Sequence, residues 1–138
     1  MNLEKRRILK IISLLKKEYP DSKTSLNSGS PLESLVATIL SAQCTDKRVN
    51  IVTKELFKKY KTTKDYANAD LKELQDDLKS INFYRNKARA IKETGRIITE
   101  EFNGNVPNKM DDLLKLRGVS RKTANAVLGN AFGIYEGY

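Results

Sequence analysis

The stretch Leu113-Leu114-Lys115-Leu116-Arg117-Gly118-Val119-Ser120-Arg121-Lys122-Thr123-Ala124 decides how this chain reads. Leu113, Leu114 and Leu116 close an amphipathic helix entered at Pro107, since apolar residues at helical spacing mark the face that turns inward. Gly118 permits a backbone turn that a side chain would obstruct. Ser120 is a capping type able to open a second helix through Ala124, Val127 and Leu128. Helix, tight hairpin and helix leave free backbone N–H groups at the second N-terminus, where a phosphate binds well. Arg117, Arg121 and Lys122 add positive charge at the same edge. The bland alternative is an αα-turn with a solvated basic tip, and spacing alone leaves both open.

Outward from the hairpin, nearly every segment repeats the helical period. Ser30-Pro31-Leu32-Glu33 has the form of a capping box with proline at the first helical position. It opens a strongly apolar segment, Leu35, Val36, Ile39 and Leu40, expected at the centre of the fold. Thr45 or Asp46 caps the next helix, with Val49, Val52, Leu56 and Phe57 inward. Thr63 and Asp70 begin two shorter helices, the second carrying Leu71, Leu74 and Leu78. Asn82 to Arg85 interrupts the pattern before a long helix with Ala88, Ile91, Ile97 and Ile98, and Asn103-Gly104-Asn105 ends it. At the other end, Ile8, Ile11, Ile12 and Leu15 stripe a helix that Pro20 closes, followed by a polar loop from Asp21. No run alternates with period two, so the expectation is an all-α, compact helical domain of about seven or eight helices containing a helix-hairpin-helix motif. It divides into an N-terminal helix over 1–22 and a domain of about six helices over 23–138, with the hairpin at 113–128.

Composition narrows the partner. With 26 Lys and Arg against 17 acids, the net charge of +9 favours a polyanion, because neutralising phosphates releases counterions. No stretch approaches the roughly 18 consecutive apolar residues of a spanning helix, and the N-terminus has no apolar signal-peptide core. Nucleic acid is therefore favoured over membrane, and the expected location is intracellular. A single cysteine, Cys44, can make no internal disulfide and cannot hold a metal centre needing about four ligands. With no histidine, chemistry falls to Lys, Asp, Glu, Tyr or Cys.

The hairpin Leu-x-Gly-Val-x-Arg-Lys-Thr-Ala-Asn resembles that of the helix-hairpin-helix-GPD superfamily of base-excision DNA glycosylases, and within it the endonuclease III family. Three further stretches fit in the same order: Ser41-Ala42-Gln43-Cys44-Thr45-Asp46, Ile81-Asn82-Phe83-Tyr84-Arg85-Asn86-Lys87-Ala88, and Asn103-Gly104-Asn105-Val106-Pro107. The resemblance covers about Pro31 to Gly133. It implies a prokaryotic-type, cytoplasmic, nucleoid-associated enzyme acting on double-stranded DNA with a damaged base or an abasic site, the damage being an oxidised pyrimidine.

Position by position, the resemblance makes Lys122 the catalytic nucleophile, whose amine attacks C1′, expels the base and passes through a Schiff base to β-elimination. It makes Gln43 the residue filling the gap left by a flipped nucleotide, and Phe83 the apolar wedge opposite. Arg117, Gly118, Ser120 and Arg121 join them in binding DNA, and the backbone carbonyls of Leu114, Leu116 and Val119 are expected to hold Na+ or K+. Without the resemblance these residues read as a solvated cation, a helix-end amide, a core aromatic and a basic tip.

Departures are few within the motifs. Ser120 stands for the family's usual second hairpin glycine, Arg117 for a common proline, and Asn82 for a glycine, as a residue that accepts positive φ. Beyond them, the family's Val-Asp-Thr-His-like motif, whose aspartate assists the lysine, is expected just after Tyr138. Only Glu136 offers a carboxylate after Lys122. The four-cysteine [4Fe-4S] loop is also missing from these residues, so no cluster is expected in this chain, and catalysis is expected to be impaired. The stripe of the first helix would then pack elsewhere, self-associate or fray. A non-catalytic helix-hairpin-helix DNA-binding module is the alternative.

Overall fold

The structure, a computed structural model, describes residues 29–134, and among these it contains seven helices and no strand. They are α1 (Pro31–Leu40), α2 (Asp46–Lys59), α3 (Thr63–Ala67), α4 (Leu71–Asp77), α5 (Tyr84–Glu101), α6 (Met110–Leu113) and α7 (Arg121–Phe132). The all-α expectation of a helical domain is met. The seven helices of the described part are the seven segments read as helical from Ser30 onward. The first helix, its stripe and Glu136 lie outside the described residues.

Local chemistry starts most of these helices. The Ser30 hydroxyl accepts from Glu33 N at 3.2 Å. Glu33 Oε1 reaches back to Gly29 N at 2.9 Å, one residue earlier than a capping box requires. Thr45, rather than Asp46, caps α2 by accepting from Arg48 N, and Asp70 caps α4 by accepting from Glu73 N. The complete capping box lies at α3, where Thr62 and Asp65 exchange bonds.

Helix α1 forms the central strut, buried from Ser34 to Leu40, as a helix that is largely apolar on every side must be. It packs on α2, α5 and α7. Around it Val49, Leu56, Leu74, Leu78, Ile81, Ile91, Ile98, Leu113, Val127 and Leu128 complete the core. Each buried leucine or isoleucine contributes about 1.5–3 kcal/mol. The closest approach is α3 on α5, where a Cβ on Gly95 would sit 2.7 Å from Thr63 O and 2.9 Å from Tyr66 Cβ. Lys92 Nζ donates to Ala67 O and Ala69 O, both at 2.7 Å, and so places a cation at the negative end of α3.

The hairpin's first helix differs from its expectation. It starts at Met110, not Pro107, and ends at Leu113, not Leu116. Lys109 makes no side-chain cap, and the exit tightens through bonds three residues apart, Lys115 N to Asp112 O and Leu116 N to Leu113 O. That tighter winding turns Leu114 outward to 37% exposure, where helical spacing had placed it inside.

Candidate nucleic-acid interface

The hairpin is anchored on its inner side and bare on its outer side. Leu116 and Val119 are buried, and Thr94 Oγ1 on α5 donates to Arg117 O at 2.8 Å. Gly118 takes φ +81°, and a Cβ there would meet Ala90 Cβ at 2.9 Å. Its glycine is thus required twice, for backbone angle and for clearance. Ser120 caps α7, accepting from Thr123 N at 3.2 Å. Arg117, Arg121 and Lys122 are all exposed, so three cations ring the positive end of a twelve-residue helix.

The second part of the site is the loop leaving α1. Ser41 N and Oγ both return to that helix's last turn, and Cys44 N donates to Ser41 O at 3.1 Å. Between them Gln43 is exposed and adopts φ +55°, in the left-handed region. Lys87, only 7% exposed, sends its ammonium from α5 to Leu40 O at 2.9 Å and to Ala42 O. These carbonyls lie at and beyond the negative end of α1 and stand in for the lost water. Burial holds the Lys87 ammonium below its usual range, and the nearby Cys44 works against that shift.

The third part is the turn before α5. Phe83 is 60% exposed and, at φ +59°, occupies the helix N-cap without a side-chain bond. The family's glycine position had suggested that Asn82 would take positive φ; instead Phe83 does. Asn82 keeps ordinary backbone and uses its amide to donate to Gln43 O at 2.6 Å.

These parts converge. Lys122 and Gln43, distant in sequence, line one cavity of about 380 Å³ together with Thr38, Ser41, Thr123 and Asn130. That volume suits a small organic group. The structure thus brings Gln43, Ser120 and Lys122 to one cavity, leaves Phe83 off its lining but next in sequence to Asn82, which bonds Gln43, and places Arg117, Gly118 and Arg121 on the hairpin edge. Val119 N donates to Leu116 O at 3.3 Å, while the carbonyls of Leu114 and Val119 take no hydrogen bond among the described residues.

A second cavity of about 360 Å³ lies among Val52, Leu56, Lys59 and Asp77. Its charges are already paired: Lys59 bonds Asp77 at 2.9 Å, and so does Tyr60 Oη. It is a surface ion cluster. No group of His, Cys, Asp and Glu suited to a metal occurs among the described residues. Nor is any described helix long and apolar enough to cross a membrane.

Two contributors went unassigned from sequence, Lys87 and Asn82. Lys87 was findable, because positions 87, 91, 94 and 98 share one helical face and its fellows there are all buried. A lysine on an inward face needs acceptors. Nothing local signalled the reach of Asn82 to Gln43.

Comparison with known proteins agrees with this geometry. The family described as HhH-GPD superfamily base excision DNA repair protein matches residues 36–130. Endonuclease III of Synechocystis sp. is 50% identical over 137 residues, which is 99% of this chain and 63% of that protein. Endonuclease III of Bacillus subtilis is 51% identical over 116 residues, 84% of this chain and 53% of that protein. Among solved structures, a trapped endonuclease III–DNA covalent intermediate (estranged-adenine complex) superposes with TM-score 0.80 at 47% identity, covering 96% of this chain and 62% of that one. A thermostable thymine-DNA glycosylase gives 0.76 at 27% identity, covering 94% and 61%. The chain therefore spans less than two thirds of the relatives' length. With its fold, hairpin and ordered motifs all in agreement, the chain belongs to the HhH-GPD superfamily of base-excision DNA repair proteins.

Proposed function

We propose that this protein is a DNA glycosylase and abasic-site lyase that works on oxidised pyrimidines in double-stranded DNA, on the nucleoid in the cytoplasm. The observation that carries the reading is the meeting of Lys122 and Gln43 at one cavity beside the basic hairpin. On this reading Arg117, Arg121 and the capped start of α7 grip phosphates, so that a nucleotide turned out of the duplex reaches Lys122. Gln43 and Phe83 enter the space it leaves.

The unprotonated Lys122 amine adds to C1′, and the C1′–N bond breaks with its electrons leaving on the base. Ring opening yields a Schiff base. Loss of a C2′ proton then expels the 3′ phosphate. At an abasic site the same amine condenses with the C1′ aldehyde and releases water. The family resemblance would have the backbone carbonyls of Leu114, Leu116 and Val119 hold Na+ or K+; among the described residues those of Leu114 and Val119 take no hydrogen bond that would compete. Such an ion would add positive charge where the hairpin meets a phosphate.

The test is borohydride trapping on abasic-site duplex by the 138-residue chain and by Lys122→Gln. A covalent adduct from the parent that is lost in Lys122→Gln, with duplex binding retained, is the expected outcome. An equal adduct from both would overturn Lys122 as nucleophile. Binding without an adduct from either would instead identify a non-catalytic DNA-binding module.

A further inference from the structure

Among the described residues, two of the three non-glycine residues with positive φ are Gln43 and Phe83. They project from different segments, each exposed, and each costs on the order of 1 kcal/mol to hold in the left-handed region. Such conformations persist where the surroundings over-determine them. At Gln43 the surroundings are explicit. Asn82 Nδ2 donates to the Gln43 carbonyl at 2.6 Å, from the residue immediately before Phe83. On the other side of the same loop, Lys87 holds the carbonyls of Leu40 and Ala42. A glycine at position 82 would have no side chain with which to bridge the two segments.

We propose that Asn82 is a positioning residue whose amide, bonded to the Gln43 carbonyl, locks Gln43 and Phe83 into one preset two-pronged tip for insertion at a gap in duplex DNA. This rests on the reading of Gln43 and Phe83 given above. Asn82 itself touches no reacting atom. Its effect is to remove the freedom of two loops before binding, so that the ordering cost is not charged against the complex. That cost matters where the tip must enter the duplex. It is irrelevant to phosphate contacts made by the hairpin. The tether should therefore raise the preference for damaged over intact DNA while leaving general duplex affinity alone.

The experiment measures anisotropy binding of the 138-residue chain to a duplex carrying a tetrahydrofuran abasic analogue and to the intact duplex. A 2-aminopurine placed opposite the analogue reports entry of the tip. Parent, Asn82→Ala, Gln43→Ala and the double variant are compared. Asn82 is exposed, so its loss leaves the core in place, and thermal melting checks this. Asn82→Ala is expected to lower the analogue-to-intact ratio about fivefold, as loss of one hydrogen bond would. It should reduce the 2-aminopurine response while changing intact-duplex affinity by less than about twofold. The double variant should lose less than the product of the two single losses, because part of the Asn82 effect is exerted through the Gln43 side chain. If Gln43→Ala loses the preference but Asn82→Ala keeps it, or if the two losses multiply, the tether is overturned and the insertion reading stands. If Gln43→Ala itself has no effect, the insertion reading falls and the tether with it.

Discussion

Gly118→Ala sets the physics of the hairpin against a measurement. The backbone at 118 lies at φ +81°, where an L side chain is strained by about 1–2 kcal/mol. The new Cβ would also stand 2.9 Å from Ala90 Cβ on α5. Neither carbon is the end of a flexible side chain, so relief requires moving the hairpin or the helix. Overpacking of this kind costs about 1–3 kcal/mol. The two effects sum to about 2–5 kcal/mol, a large share of the total stability of about 5–15 kcal/mol expected for a domain. With a urea m-value of about 2 kcal/mol/M, the midpoint should fall by about 1–2.5 M. Ala90→Gly separates the contributions. Alone it weakens α5 by about 1 kcal/mol. Combined with Gly118→Ala it removes the clash and leaves the backbone strain, so the pair should cost about 2–3 kcal/mol, less than the sum of the singles. Equilibrium unfolding followed by circular dichroism reads all four proteins. A cost for Gly118→Ala below about 0.5 kcal/mol, or strict additivity in the double variant, would refute the account of why glycine stands there.

Two further outcomes concern the capped end of α7 and the ion cluster on α2. Ser120→Ala should cost about 1 kcal/mol and lower Tm by about 3–5 °C, as loss of an N-cap does. Ser120→Asp should keep the stability, yet weaken duplex binding about tenfold at low salt, because the carboxylate would occupy the place of a phosphate. Equal binding by Ser120→Asp and the parent would remove α7's N-terminus from the interface. Burial first, and then the hydrogen bond to Asp77, push the Tyr60 phenol up to about 12. A raised pKa means that the neutral form is favoured when folded. The contribution is therefore complete below the ordinary tyrosine range, near pH 10, and is lost as pH climbs toward 12. An assigned tyrosine NMR titration should show Tyr60 ionising late, and Asp77→Asn should bring it down; an unchanged midpoint in Asp77→Asn would show that the bond contributes nothing.

The sequence by itself determined the features whose causes lie within four residues. Ser30, Thr45, Asp70 and Ser120 cap their helices through bonds to the N–H three residues on. The stripes of α1, α4, α5 and α7 were legible because a helical period repeats locally. Gly118 was legible because a tight hairpin between two stripes admits few residues. The hairpin motif around Lys122 was legible, and it carries the resemblance to the superfamily. Tertiary structure alone decided which residues meet. That Phe83 rather than Asn82 takes positive φ follows from where Asn82's amide finds its acceptor, on a loop far away in the chain. Lys87 is buried because the end of α1 offers it carbonyls across the core. Leu114 turned outward because the exit from α6 winds tightly through bonds three residues apart. Hydrogen bonds between distant segments leave no periodic trace, since either partner could have bonded water instead. Those bonds tie Asn82 to Gln43 and the hairpin to α5, while the packing of α1 on α7 sets Gln43 and Lys122 on one cavity.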